Sequence, residues 1–212
     1  MDIPVRPAFP EMMETARLLI RAPREGEGAE VNAAIRETYT ELHEWMEWAS
    51  YLPEVEETEQ RRLQARAKFL AGEDFSVQAH LKTTGALALC AGLHPRDWNV
   101  PKFEIGYWCR AAYQGSGYVT ETVCALTRIA LEVFGANRIE IRCDARNLRS
   151  RRVAECAGYT LEATLKNDVI APDGKLRDTL IYVQFPEEFR KECARVSLDA
   201  TPGSDIVARR SS

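Results

Sequence analysis

The sequence contains no Cys-x-x-Cys pair. Its six cysteines, Cys90, Cys109, Cys124, Cys143, Cys156 and Cys193, are scattered without framework spacing. That argues against a disulfide framework, and it reads as free thiols in a reducing compartment. Cys124 and Cys143 fall where a buried apolar residue would fit. Only three histidines are present, His43, His80 and His94. They lack ligand spacing, so no metal is expected. His80 and His94 lie at strand ends and could face solvent. The apolar run "GALALCAGL", Gly85 to Leu93, is far too short to cross a bilayer. The first residues carry prolines and acids in place of an apolar signal core. Positive charge is also lacking, since the formal net charge is -4. Nucleic acid and membrane are therefore not expected as partners. A cytoplasmic soluble protein is the expectation.

What is present suits one globular domain. The chain has 212 residues, 45% hydrophobic and 28% charged, enough to bury a proper core. Residues 1–14 read as an irregular arm, 15–190 as the domain, and 191–212 as a polar, flexible tail. "RLLIRA" makes a first strand, ended by Pro23. A helical stretch follows from Glu25 to about Gly72, broken near "SYLPEVEE", with Leu63, Ala67 and Leu70 at helical spacing. "DFSVQAHL", "GALALCAGLH" and "FEIGYWCR" are the next three strands, the second apolar enough to be central. "TETVCALTRIALEVFG" is a helix with an apolar stripe of Val119, Val123, Leu126, Ala130 and Val133. "NRIEIRCD" is a fifth strand, "LRSRRVAECAG" a short helix, and "TLEATLKNDVI" and "RDTLIYVQF" two last strands joined by an Asp-Gly turn. This order predicts an α/β (α+β) domain, with helices flanking a mixed, mostly antiparallel sheet of about seven strands.

The join between the fourth strand and the long helix reads "YWCRAAYQGSGYVTE". With glycine at 115 and 117, the amides near Ser116 to Thr120 can face one space and act with the positive helix end as an anion site. A Gly-x-Gly at such a join also serves as a plain turn, and alone it leaves both readings open. No Gly-Lys-Ser/Thr follows, so a triphosphate P-loop is excluded. Thr120 stands where a dinucleotide fingerprint needs glycine or alanine. "QGSG" is not a hydrolase G-x-S-x-G elbow.

Four motifs in order decide between the readings. "QGSGYV" resembles the acyl-CoA loop of the GNAT N-acyltransferase superfamily. "NLRSRRVAECAGY" is similar to the N-x-x-S-x-x-V-x-E-x-x-G-F/Y block of its RimJ/RimL-type branch, which contains the ribosomal-protein N-terminal acetyltransferases. "ETARLLIR" and "FEIGYW" resemble the opening and fourth strands of that branch. The resemblance covers residues 14 to 185 and implies a GNAT fold whose sheet splays between strands 4 and 5. Val119 departs from the pattern, which has glycine or alanine there.

The resemblance implies an N-acetyltransferase that moves acetyl from acetyl-CoA to a primary amine by direct attack, with no metal. It also implies a set of site residues. The amides of Gly115, Ser116, Gly117, Tyr118, Val119, Thr120 and Glu121 would hold the pyrophosphate, with Gln114 bracing the loop. Trp108, Cys109 and Arg110 would offer backbone groups to the pantetheine arm and the acetyl oxygen. Asn147 would contact that arm, and Ser150 would donate to the departing sulfur. The tyrosine that serves other branches would fall near Ala154. Blandly, Asn147 and Ser150 are helix-capping residue types.

A free N-terminal amine, of pKa about 7.7–8.0, is about 10–20% neutral at pH 7, against about 0.04% for lysine. A base is therefore useful, and Glu104 is the candidate unless an arginine claims it. Asp178 is a candidate for meeting the substrate ammonium, and Trp45 and Trp48 for lining the acceptor pocket. The segment from Glu41 to Glu59 has seven glutamates and no Lys or Arg, and would form an acidic wall attracting a cationic amine. The acceptor is a protein N-terminus or a small amine, and a homodimer is in keeping with the family. The other functional class open to this sequence is a non-catalytic acyl-CoA-binding sensor or assembly module.

Overall fold

The computed structural model describes residues 7–189. The expected C-terminal tail lies outside them. Eight strands form one sheet: β1 (Met12–Glu14), β2 (Leu18–Arg21), β3 (Phe75–Leu81), β4 (Leu87–Asp97), β5 (Lys102–Cys109), β6 (Arg138–Asp144), β7 (Thr160–Ile170) and β8 (Leu176–Gln184). The helices are α1 (Gly28–Glu37), α2 (Tyr39–Trp45), α3 (Val55–Leu70), α4 (Tyr118–Glu132) and α5 (Leu148–Cys156). The strand order is β1-β2-β3-β4-β5-β6-β8-β7. Every neighbouring pair is antiparallel except β5 and β6.

One strand lay hidden in the expected arm. Met12–Glu14 pairs with β2, with Met13 buried opposite Ile20. Three residues are too few to show alternation.

Two apolar layers clamp the sheet. On one face α4 buries Val123, Leu126, Ile129 and Ala130 against Leu89, Leu93, Phe103 and Ile105. At the end of α4, Phe9, Phe75, Phe103 and Phe134 pack ring on ring, with centroids 5.0–6.1 Å apart. Such pairs add about 0.5–1.5 kcal/mol each beyond their burial. On the other face α1 sets Val31, Ala34 and Ile35 against Leu87 and Cys90, with Met46 and Trp108 at the rim. In α3 the buried positions are Thr58 and Phe69, while Ala67 and Leu70 are exposed. Of the expected Leu63–Ala67–Leu70 stripe only Leu63 is half-buried. His80 is buried as well, and burial lowers its pKa. Cys124 is exposed on α4, whereas Cys143 is buried.

The feature that positions the site is the parallel pair. β5 and β6 pair only over Lys102↔Arg138, Phe103↔Ile139 and Glu104↔Glu140, and then diverge. The two glutamates at this branch point are each compensated. Arg96 holds Glu104 at 3.2 Å, and buried Glu140 meets Arg138 at 2.6 Å and Lys102 at 2.9 Å. Burial alone would raise the Glu140 pKa, but these cations outweigh it and hold the carboxylate below its ordinary range. Beyond the branch point, β5 keeps its β4 partner and has an open second edge.

Candidate active site

Gly115 and Gly117 both adopt left-handed backbone, at φ +73° and +79°. A side chain at either position would be strained there. Gly117 is the N-cap of α4, and no side chain caps that end. The amides of Tyr118, Val119 and Thr120 therefore lack intrahelical acceptors and sit at the positive end of the helix. All three residues line a groove of about 580 Å³ together with Gly115 and Gly117. This is anion-site geometry. Ser116 is exposed beside it. Val119 is half-buried against the main core, so its branched side chain is accommodated.

Glu121 does not belong with these donors. Its amide already gives to the Gly117 carbonyl at 3.0 Å. Its carboxylate meets Arg17 at 2.7 Å and the Thr15 hydroxyl at 2.5 Å. Burial would raise its pKa, but these bonds hold it low. It ties α4 to the turn before β2. Gln114 donates to the Cys109 carbonyl and accepts from Arg149 of α5, so it braces the loop from both sides.

The open edge of β5 presents a different set of backbone groups from the one expected. The Arg110 amide donates to Ala88 of the β4 side at 2.9 Å, and its carbonyl accepts from Tyr113. In an antiparallel ladder the bonded direction alternates residue by residue. The β4–β5 register is unbroken from Leu89↔Cys109 to Pro95↔Phe103. Trp108 therefore turns its main chain toward β4, as Arg110 does. Tyr107 and Cys109 turn theirs to the open edge, where Gln114 meets the Cys109 carbonyl. The Arg110 side chain pairs with Glu37 at 2.6 Å. The Cys109 thiol is pushed up to about 11 by burial, which leaves it a poor nucleophile at neutral pH.

Across the divergence, α5 brings its first turn to this edge. Asn147 is its N-cap, accepting from the Ser150 amide at 3.0 Å. Ser150 itself caps nothing. Its hydroxyl lies 2.9 Å from the Tyr107 hydroxyl. Burial pushes the Tyr107 phenol well above its usual pKa, so it remains protonated and able to donate. The Tyr107 hydroxyl also reaches the Ser150 carbonyl at 3.2 Å, so either hydroxyl of the pair can donate to the other. Tyr107 was legible only as part of a strand, and nothing in its spacing marked its hydroxyl.

A second cavity, of about 650 Å³, opens on the α1 face. It shares Trp45, Met46, Tyr107, Trp108, Asn147 and Ser150 with the first groove, so the two spaces meet at the Tyr107–Ser150 pair. Trp48 also lines it, 6.3 Å from Trp108. Glu104 and His94, cross-strand neighbours, stand in its wall. The His94 ring lies over Gly92 and Gly106, where a Cβ at either would come within 2.5 Å and 3.3 Å of it. The glycines thus form the seat of the imidazole. Asp74 binds His94 Nδ1 at 2.5 Å and accepts from Ser76. Burial works against the Asp74 charge, but the His94 and Ser76 hydrogen bonds prevail and lower its pKa. A carboxylate only accepts, so Nδ1 carries the proton and Nε2 is turned over Gly106.

Asp178 lies elsewhere. It lines neither cavity. It meets Lys166 at 2.7 Å and the amide of Asn167 at 3.0 Å. Asn167 has left-handed φ at the β7 bulge, so Asp178 supports that irregularity. The acidic wall is also absent from the acceptor side, because no glutamate between 41 and 59 lines the larger cavity. Glu57 is spent on Arg61 at 2.6 Å. No group of three metal-ligating side chains occurs among the described residues, and no helix among them is long and apolar enough to cross a membrane.

A family model described as an acetyltransferase (GNAT) domain matches residues 17–160, the span that carries the smaller groove and its junction with the larger cavity. The chain belongs to the GNAT acetyltransferase family. Two relatives align with parts of this GNAT chain. The putative ribosomal N-acetyltransferase YdaF of Bacillus subtilis is 31% identical over 116 residues, covering 55% of this chain and 63% of that protein. The ribosomal-protein-serine acetyltransferase of Escherichia coli is 35% identical over 63 residues, covering 30% of this chain and 35% of that one. The chain thus spans less than two thirds of either relative. Among solved structures, Mycobacterium smegmatis RimJ in complex with CoA-disulfide superposes with a TM-score of 0.78 at 20% identity, covering 91% of this chain and 98% of that one. The microcin C7 self-immunity acetyltransferase MccE, in complex with acetyl-CoA and AMP, gives 0.75 at 21%, over 80% and 93%. At such identities these structures establish the shared GNAT fold.

Proposed function

We propose that this GNAT protein transfers an acetyl group from acetyl-CoA to a primary amine, with a protein N-terminus as the favoured acceptor. One observation carries the reading. A groove with uncapped amides and a second cavity meet at a single pair of hydroxyls, Tyr107 and Ser150. Related ribosomal-protein acetyltransferases support the choice of acceptor.

The residues fit the cofactor. The amides of Tyr118, Val119 and Thr120 suit a diphosphate, and Gly115 and Gly117 keep side chains out of its way. The open-edge groups of Tyr107 and Cys109 suit an amide-bearing arm. Acetyl-CoA supplies the activated carbonyl; the chain supplies orientation and proton control. The Ser150 hydroxyl, held beside the Tyr107 hydroxyl, donates a hydrogen bond to the departing thiolate.

We favour His94 over Glu104 as the base. Arg96 occupies Glu104, while Asp74 fixes the His94 tautomer and leaves Nε2 as an acceptor in the cavity wall. The test is thiol release from acetyl-CoA with a panel of N-terminal peptides and small amines. Amine-dependent release supports an enzyme. Tight CoA binding with release no faster than hydrolysis would make the protein a binding module instead.

A further inference from the structure

The charges lining the larger cavity do not balance. Its carboxylates are taken, Glu104 by Arg96 at 3.2 Å and Asp144 by Arg146 at 2.7 Å. Two of its arginines are also taken, Arg61 by Glu57 at 2.6 Å and Arg142 by Asp168 at 3.4 Å. Arg62 of α3 and Arg177 of β8 remain. Both line the cavity, and each has a buried Nε without a hydrogen-bond partner. Neither makes an ion pair among the described residues, and Arg177 feels Asp144 only at longer range. Half-buried guanidinium groups with no ion-pair partner among the described residues are costly, because burial removes water from an Nε donor that no described residue satisfies. Two such groups in one cavity are compensated when an oxyanion enters it, since the guanidinium fork matches carboxylate and phosphate.

We infer that the acceptor is an anionic amine: a primary amine carrying a carboxylate or phosphate that Arg62 and Arg177 bind while the nitrogen lies toward His94 and Ser150. This rests on the acetyl-transfer reading above and narrows its substrate class. It also reverses the electrostatics expected from the sequence, where glutamates were to draw in a cation.

The experiment compares the tripeptide Ser-Asp-Asp with its uncharged counterpart Ser-Asn-Asn-amide, and O-phosphoethanolamine with ethanolamine. The readout is kcat/KM by thiol release, in the wild type and in Arg62→Gln and Arg177→Gln. A preference of about tenfold or more for the anionic member of either pair is expected, from one charge-assisted contact. The pair that shows it tells a carboxylate source from a phosphate source. Each substitution should collapse that ratio, while melting temperature and CoA affinity report that the fold is intact. Equal rates for charged and uncharged acceptors, or a ratio unchanged in both variants, would overturn the inference. If no acceptor releases thiol, the acetyl-transfer reading fails and binding decides the arginine question. In that case N-acetyl-Ser-Asp-Asp is titrated calorimetrically into the CoA-loaded protein. Binding at least tenfold tighter than its uncharged amide, lost in Arg62→Gln, upholds the site; equal binding refutes it.

Discussion

Gly117→Ala tests the anion site by separating a backbone effect from a binding effect. The residue holds φ +79°, and the added Cβ would meet only the end of the Arg17 side chain, at 3.4 Å, which is ordinary contact. The penalty is therefore conformational, about 1–2 kcal/mol for an L-residue in the left-handed region. For a domain of this size that is a fall in Tm of about 2–8 °C. Gly174→Ala supplies the control. It has φ +77° and open space around a built Cβ, but lies in the β7–β8 turn and lines neither cavity. The two variants should lose similar stability. Only Gly117→Ala should alter CoA affinity, because relief of its strain tilts the amides that follow. Each charge-assisted hydrogen bond misplaced is worth about 1.5–3 kcal/mol, so Kd should rise about 10- to 150-fold. Calorimetric titration with CoA measures this directly. Wild-type affinity in Gly117→Ala, alongside the expected loss of stability, would refute the placement of the diphosphate.

Other predictions address the chemistry and the branch point. Ser150→Ala and Tyr107→Phe should each lower kcat by about tenfold or more with little change in CoA affinity; full turnover in both would remove the hydroxyl pair from the mechanism. His94→Gln should lower kcat/KM by about 100-fold or more, with Glu104→Gln changing it far less. The opposite pattern would return the base to Glu104. Glu140→Gln strips a buried carboxylate from Lys102 and Arg138, and should cost about 3 kcal/mol in denaturant unfolding at pH 7. Because the folded pKa of Glu140 lies below its ordinary value, its contribution is complete above about pH 4.3 and fades as pH falls through the depressed value. A difference between wild type and Glu140→Gln that persists undiminished at pH 2 would contradict this.

Much of the fold was legible because periodicity and turn chemistry report local geometry. β4 reads as a central strand, since both of its faces are covered. The Gly115–Gly117 turn and the Asn147 cap are signalled by residue type. What stayed hidden depends on partners far along the chain. β1 is held by pairing with β2, not by its own pattern. Glu104 and Asp178 each look available until Arg96 and Lys166 are placed beside them. Which of Tyr107, Trp108, Cys109 and Arg110 faces the open edge depends on the ladder phase, set by Arg110 bonding to Ala88. His94 sits 20 residues from Asp74 in sequence, and the seat made by Gly92 and Gly106 exists only once β4 and β5 pair. That Arg62 and Arg177 find no ion-pair partner among the described residues is likewise a property of the assembled cavity.

A crystal structure of the protein with bound CoA is the most direct test. It should show the diphosphate within hydrogen-bond distance of the Tyr118, Val119 and Thr120 amides, and the thiol sulfur beside the Ser150 hydroxyl at the junction of the two cavities. CoA lodged away from the α4 N-terminus, or seated there with its sulfur turned from Ser150, would contradict the account.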